Sequence, residues 1–171
     1  MAGDSRIFEA ATVWLDGKSL AGHVMEVELP EMTWDTKDLE AIALRGTQQF
    51  AAKMDALECT LSFADYTKDL ARAAANPYQA VTLQVREAYG LYRAGSRVGT
   101  SSNIITLRGR FMSSSLGTVN QGEKEREAMM SCDYVKEVCD GELISEFSIN
   151  PPIYRNGGVD IFEALRSILG I

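Results

Sequence analysis

A chain of 171 residues suits one domain with a sizeable core and is short for two. Its composition, 46% hydrophobic and 24% charged, is within the normal range for a soluble globular protein. With 17 Lys+Arg against 24 Asp+Glu the formal net charge is -7, which argues against a surface built to grip nucleic acid or an anionic membrane.

Period-two alternation dominates the chain and predicts strands. The first covers Thr12 to Leu15 and runs into Asp16-Gly17, a dipeptide that favours a tight turn. Met25, Val27 and Leu29 then alternate with Glu26 and Glu28 until Pro30 interrupts the ladder. Residues 35–55 mix charges, Gly46 and two glutamines and fit neither helix nor strand, so they are read as a long irregular loop. Leu57, Cys59, Leu61 and Phe63 alternate with Glu58, Thr60 and Ser62.

Asp65 is placed to cap a helix from Tyr66 to Ala75 that Asn76-Pro77 stops, with Tyr66, Leu70 and Ala73 or Ala74 on one face. Val81, Leu83 and Val85 make one apolar strand face. Ile105, Leu107 and Phe111 make another, set against Thr106, Arg108 and Arg110. A Ser-, Gly- and Glu-rich stretch over 113–126 leads into a long strand from Glu127 to Cys139, which Asp140-Gly141 turns into Glu142 to Ile149. A short second helix is expected from about Val159 to Leu169, with Asp160 at its start and Gly170 past its end. The predicted architecture is a mainly β, antiparallel sandwich or barrel with one flanking helix and a short C-terminal helix, forming a single domain over 1–171.

Side chains that could carry chemistry are isolated. His23 has no detectable partner nearby in sequence and reads as a turn histidine rather than a base or a ligand. Cys132 and Cys139 are seven apart, which on a regular strand puts them on opposite faces, and Cys59 sits on an apolar face as a small hydrophobe. Three cysteines make no disulfide framework and fit a reduced cytoplasmic setting. No leader-like or membrane-spanning apolar run is visible. Ser113, Ser114 and Ser115 lack the glycine context of a nucleophile elbow, and Gly95 and Gly99 do not make a phosphate loop. Glu123, Glu125 and Glu127 lack calcium-loop spacing and read as an acidic strand face. Trp14 and Trp34 read as core or interface anchors. Arg108 and Arg110 share a face, either solvated or paired with acids across a subunit boundary. Neither catalysis nor a cofactor nor a metal site is expected.

A colinear set of short motifs is more specific. Val13-Trp14-Leu15-Asp16-Gly17, Ala21-Gly22 and Val27-Glu28-Leu29-Pro30-Glu31-Met32-Thr33 come first. Leu107-Arg108-Gly109-Arg110, Gly117 and Gln121-Gly122-Glu123-Lys124 follow, then Asp140-Gly141-Glu142-Leu143, Gly158-Val159-Asp160, Arg166 and Leu169-Gly170-Ile171. This order resembles the major tail tube proteins of P2-like contractile phages and R-type pyocins over nearly the whole chain. The strand Asp133 to Cys139, the segment Asn150 to Tyr154 and the doubled glycine Gly157-Gly158 depart from the family pattern.

The resemblance implies six copies per ring and rings stacked inside a contractile sheath. It also implies contacts with a tape measure protein, a baseplate hub that initiates the tube and a tail terminator, with DNA passing through the lumen and no membrane insertion. The particle would be a virion tail assembled in the bacterial cytoplasm. Strands near 24–34, 56–63, 104–112 and 127–139 are expected to form the channel wall. Glu26, Glu28, Glu58, Glu123, Glu125 and Glu127 are candidates for an acidic lumen that gives DNA nowhere to dwell. Asp38, Glu40, Arg45, Gln48, Gln49 and Lys53, with the N-terminal arm 1–8, are candidates for contact with the next ring. The alternatives are the tube of a type VI or extracellular injection system and, more distantly, a β-barrel that binds a small ligand.

Overall fold

The computed structural model describes residues 5–39, 47–65, 67–117 and 125–170. Twelve strands follow in chain order: β1 (Ser5–Leu15), β2 (Lys18–Ser19), β3 (Val24–Glu28), β4 (Trp34–Leu39), β5 (Gln48–Met54), β6 (Leu57–Phe63), β7 (Val81–Arg93), β8 (Ser96–Ser114), β9 (Arg126–Cys139), β10 (Glu142–Ser148), β11 (Ile153–Asn156) and β12 (Val159–Asp160). Helix α1 (Lys68–Ala74) lies between β6 and β7, and α2 (Glu163–Leu169) follows β12.

Among the described residues ten strands form one antiparallel sheet, eight of them in the order β12-β11-β10-β9-β8-β7-β1-β2. The remaining edge of β9 is divided: residues Arg126–Cys132 pair with β6, which carries β3 outside it, and Tyr134–Cys139 pair with β10. The predicted turns Asp16-Gly17 and Asp140-Gly141 close hairpins, and Ala94-Gly95, which was not foreseen, closes a third. All three have positive φ at both residues, the backbone that matches the twist of two-residue hairpins.

The apolar faces converge on one core. Leu57, Cys59, Leu61 and Phe63 from β6 meet Leu83 from β7, Leu107 and Phe111 from β8 and Met130 from β9, none more than 1% exposed. Helix α1 closes the core with Leu70 and Ala74 and packs on β8.

The helix bounds and the reading of His23 need correction. Helix α1 starts two residues late, because Thr67 and not Asp65 is its cap: Thr67 Oγ1 accepts the Leu70 N–H at 3.4 Å. Asp65 instead stands 3.2 Å from His23 Nδ1, so the lone histidine does have an acidic neighbour, one that only the β3–β6 pairing brings close. The second helix begins at Glu163 because Val159–Asp160 is spent on pairing with β11.

The segment 35–55 is not structureless within its described part: β4 and β5 form a separate two-stranded hairpin. Its described side chains are nearly all exposed, so no alternation marked it in sequence. Trp34 and Met54, opposite each other at its base, are its anchors on the core. The Trp34 ring meets Tyr154 and Phe147 edge-on at 5.3 and 6.3 Å. The expected arm 1–8 is likewise a strand where it is described, Ser5–Phe8 pairing with Tyr92–Tyr89 of β7.

The strand β9 carries an extra residue, Asp133, where its register with β8 slips between Arg108/Tyr134 and Gly109/Cys132. The slip reverses the alternation, so Cys132 and Cys139 face the same side, contrary to the regular-strand reading. They remain about 20 Å apart along the strand. Burial pushes the Cys59 and Cys132 thiols up to about 12, as expected for inert core groups.

Candidate assembly surface

The face of the sheet opposite the core holds most of the predicted acidic residues. Cross-strand register places Glu26 against Ser62 and Ser62 against Glu127, with Glu28 against Thr60 in the next row. Glu58 lies on the same face, opposite Ser131, because it alternates with Leu57 and Cys59. All four carboxylates are exposed. Glu125 is exposed just before β9, and Glu123 lies outside the described residues.

The same face turns basic across the β8–β9 boundary. Arg110 pairs in register with Ser131 and Arg108 with Thr82, both exposed and both alternating with core residues. Arg86 on β7 joins them, stacked over the Trp14 ring at 5.0 Å with its Nε donating to Gln84 at 2.9 Å. Sequence reading missed Arg86, although the alternation of Val81, Leu83 and Val85 already points it outward. Glu9 and Arg97 form a 2.8 Å pair near the far end of the β7–β8 hairpin and cancel each other.

Among the other candidates, Asp38 and Gln49 are register partners in the β4–β5 hairpin, and Lys53 stands 3.9 Å from Asp35. Gln48 contributes its backbone to β5, while Glu40 and Arg45 lie outside the described residues.

A second unforeseen feature is the ionic network that fixes the C-terminal part. Glu146, 9% exposed, accepts from Tyr134 Oη at 2.8 Å and from Arg155 Nη1 at 2.9 Å. Burial and this bond push the Tyr134 phenol up to about 12. Arg166 of α2 donates to Asp160 at 2.5 Å and to the Pro152 carbonyl at 2.8 Å. None of the α2 side chains is buried, so these polar bonds and the Tyr154–Phe162 contact at 5.9 Å hold the helix in place.

The Arg166 bond holds the Asp160 carboxyl below its ordinary value. The folded chain therefore keeps this charge at a pH where the unfolded chain takes up a proton. The resulting stability is complete above the unfolded carboxylate value of about 3.9 and disappears as pH falls through the folded one. Asp160→Asn is expected to lower the urea midpoint at pH 7, with the difference from wild type shrinking steadily below about pH 4.

The comparison with known proteins decides the family: the sequence matches the one described as phage tail tube protein FII over residues 5–170. The chain belongs to that family of phage tail tube proteins. No curated protein matches the sequence significantly. Its fold is similar to that of two cryo-EM structures of the PVC extracellular contractile injection system in the extended state. One is the sheath/tube terminator, with a TM-score of 0.57, 9% identity, 75% of this chain and 92% of that chain covered. The other is the sheath–tube complex, with a TM-score of 0.55, 11% identity, 75% of this chain and 87% of that chain covered. The tube protein is thus a structural component of a virion tail and not an enzyme.

Proposed function

We propose that six copies of this tube protein close a ring and that rings stack to form the inner tube of a contractile tail, with the sheath outside and DNA passing within. The observation that carries the reading is the exposed polar face with Glu26, Glu28, Glu58 and Glu127 aligned across β3, β6 and β9, directly behind a filled core. A wall of carboxylates repels the phosphate backbone over the screening length of about 8 Å, so DNA finds no site to dwell in. The arginines on the same face confine the acidic character to part of the wall.

Family membership supports the further partners: a tape measure protein, a baseplate hub that initiates the tube, a terminator and a sheath. Assembly would take place in the bacterial cytoplasm. The β4–β5 hairpin, which stands apart from the main sheet with Asp38, Gln49 and Lys53 exposed, is our candidate for the contact between rings.

The fold similarity to an extracellular contractile injection system favours a second reading, a tube of the same build in a particle without DNA. Encapsidated DNA in purified particles separates the two. A small-ligand barrel gains no support, since the interior is filled by side chains such as Leu61, Leu83, Leu107 and Met130, each fully buried.

Negative-stain microscopy of the purified protein tests the assembly reading: rings or tubes are expected, and strictly single subunits in the presence of an initiating baseplate complex would refute it. Deleting residues 38–52 removes the hairpin beyond its Trp34 and Met54 anchors. That variant is expected to fold and to form no long tubes; long tubes from it would assign the inter-ring contact elsewhere.

A further inference from the structure

Past Val85 the core face of the central strands changes chemistry. Glu87 of β7 lies opposite Asn103 of β8, and Glu137 of β9 comes one row nearer the core, opposite Ile105. The Asn103 amide reaches both carboxylates: its Nδ2 donates to Glu87 Oε2 and to Glu137 Oε1, at 3.1 Å each. Asn103 is 9% exposed, and its carbonyl oxygen Oδ1 is buried with no hydrogen-bond partner among the described residues. A buried amide satisfied at one end only is uncommon, because the idle oxygen has given up its water for nothing.

The two carboxylates are also left without a counter-charge. Among the described residues no cationic side chain stands at ion-pair distance from Glu87 or Glu137. Arg6, on the same face, spends its guanidinium on the Tyr89 ring at 4.7 Å and on Cys139 Sγ at 3.4 Å. The other donor to Glu87 is neutral, Tyr89 Oη at 2.8 Å. A half-turn of the Asn103 amide exchanges its two ends and sets the idle carbonyl oxygen between the carboxylates, where Nδ2 now stands. Two oxygens about 2.4 Å from one calcium ion and about 80° apart make an edge of about 3.1 Å, the spacing already present here. Both glutamates are half-buried, and a cleft of about 220 Å³ bounded by Leu29, Met32, Ile105 and Val135 opens onto Glu137, so an ion has an entry path and room for water on its open side.

We propose that Glu87, Glu137 and the Asn103 carbonyl form a site for a hard divalent cation, calcium rather than magnesium, that ties β7, β8 and β9 together where the apolar core ends. Carboxylate and amide oxygens select hard ions. Their uneven placement on three twisted strands suits calcium's irregular shell of six to eight oxygens, whereas magnesium demands a near-ideal octahedron. Beyond this row the β7–β8 hairpin runs on to Ala94-Gly95 with Tyr89 and Ser101 at the inward positions, so a polar staple takes over where apolar packing stops. Sequence spacing could not show the site, since each of its three ligands comes from a different strand. The proposal is independent of the ring reading, because one subunit supplies every ligand.

The test uses the full chain, freed of metal by a chelator, with calcium chloride as the probe. Calorimetric titration is expected to show one site per chain with a Kd of about 10⁻⁴–10⁻³ M, the range of sites with few protein ligands. Magnesium chloride should bind at least about fivefold more weakly. Glu87→Gln/Glu137→Gln should abolish the signal, whereas Asp55→Asn/Glu142→Gln, which removes the same charge from two exposed positions, should keep it. Asn103→Asp separates a metal ligand from a purely structural amide. It loses the donor to both glutamates and adds a third carboxylate, so it should melt below wild type in chelator, regain the wild-type midpoint with calcium and bind calcium at least about fivefold more tightly. No calcium binding by wild type at millimolar concentration, undiminished binding by Glu87→Gln/Glu137→Gln, or an Asn103→Asp midpoint that ignores calcium would each overturn the site. Should wild type bind no calcium while Glu87→Gln/Glu137→Gln folds but forms no rings, the carboxylates belong to a contact between subunits and the ion is excluded.

Discussion

Gly109→Val is expected to destabilise the subunit by about 3 kcal/mol and to abolish accumulation of assembled material. Gly109 lies where β8 and β9 slip register, opposite Cys132. A β-carbon there would collide with the Ser131 carbonyl oxygen and stand 2.8 Å from the Cys132 Cα. The obstacle is backbone in the centre of the sheet, not the end of a flexible side chain, so relief requires the two strands to part. The strands that would part carry Leu107, Phe111, Met130 and Cys132 of the core. Gly99 on the same strand is the control: the nearest atom to a β-carbon there is Leu91 Cδ1 at 3.6 Å, and Gly99→Ala should change stability by well under about 1 kcal/mol. Urea unfolding at a concentration too low for assembly measures both, and equal midpoints for Gly109→Val and wild type would contradict the close approach.

Phe111→Ala is expected to cost about 3–5 kcal/mol, the range for emptying a large, fully enclosed aromatic site. Phe111 is 1% exposed and pairs in register with Met130, itself fully buried. Phe111, Met130 and Cys59 make one row of the core face across β8, β9 and β6, and β8 and β9 are fixed by ladders on both sides, so the cavity collapses little. Phe8→Ala, 56% exposed on β1, should cost under about 1 kcal/mol in the isolated subunit. Comparable losses at both positions would mean that the core is elsewhere.

Much of this architecture was legible from alternation and turn chemistry. Leu57 to Phe63 and Ile105 to Phe111 show their buried and exposed faces in sequence, Glu127 to Cys139 shows itself as a strand, and the Asp-Gly turns fall where expected. The β4–β5 hairpin was invisible because its described residues are exposed on both faces and leave no periodicity. The outer half of the β7–β8 hairpin was missed for a related reason: past Val85 the inward positions become Glu87, Tyr89, Asn103 and Ser101, so polarity no longer reports direction. Asn103 there donates to Glu87 and Glu137 at 3.1 Å each, a polar row that replaces apolar packing. The parity error at Cys132 and Cys139 came from a single extra residue, which no period-two rule can register. Of the acidic candidates, Glu26, Glu28, Glu58 and Glu127 come together because three strands distant in sequence align their alternation. The arginine half of that face emerged only with the pairing order.

The pairing order also bears on when a nascent subunit becomes sticky. The central meander β7-β8-β9-β10 is made of successive hairpins and can form from local contacts. By contrast Ser5 joins Tyr92, and Phe63 joins Arg126, each closing about 60 residues of chain or more. Such distant closures are the slow part of folding. The strands β1 and β3 therefore dock last, β3 only after β6 is in place. A chain caught half-folded keeps Leu83, Leu107 and Met130 without their β6 cover, and its greasy face stays open until those strands arrive.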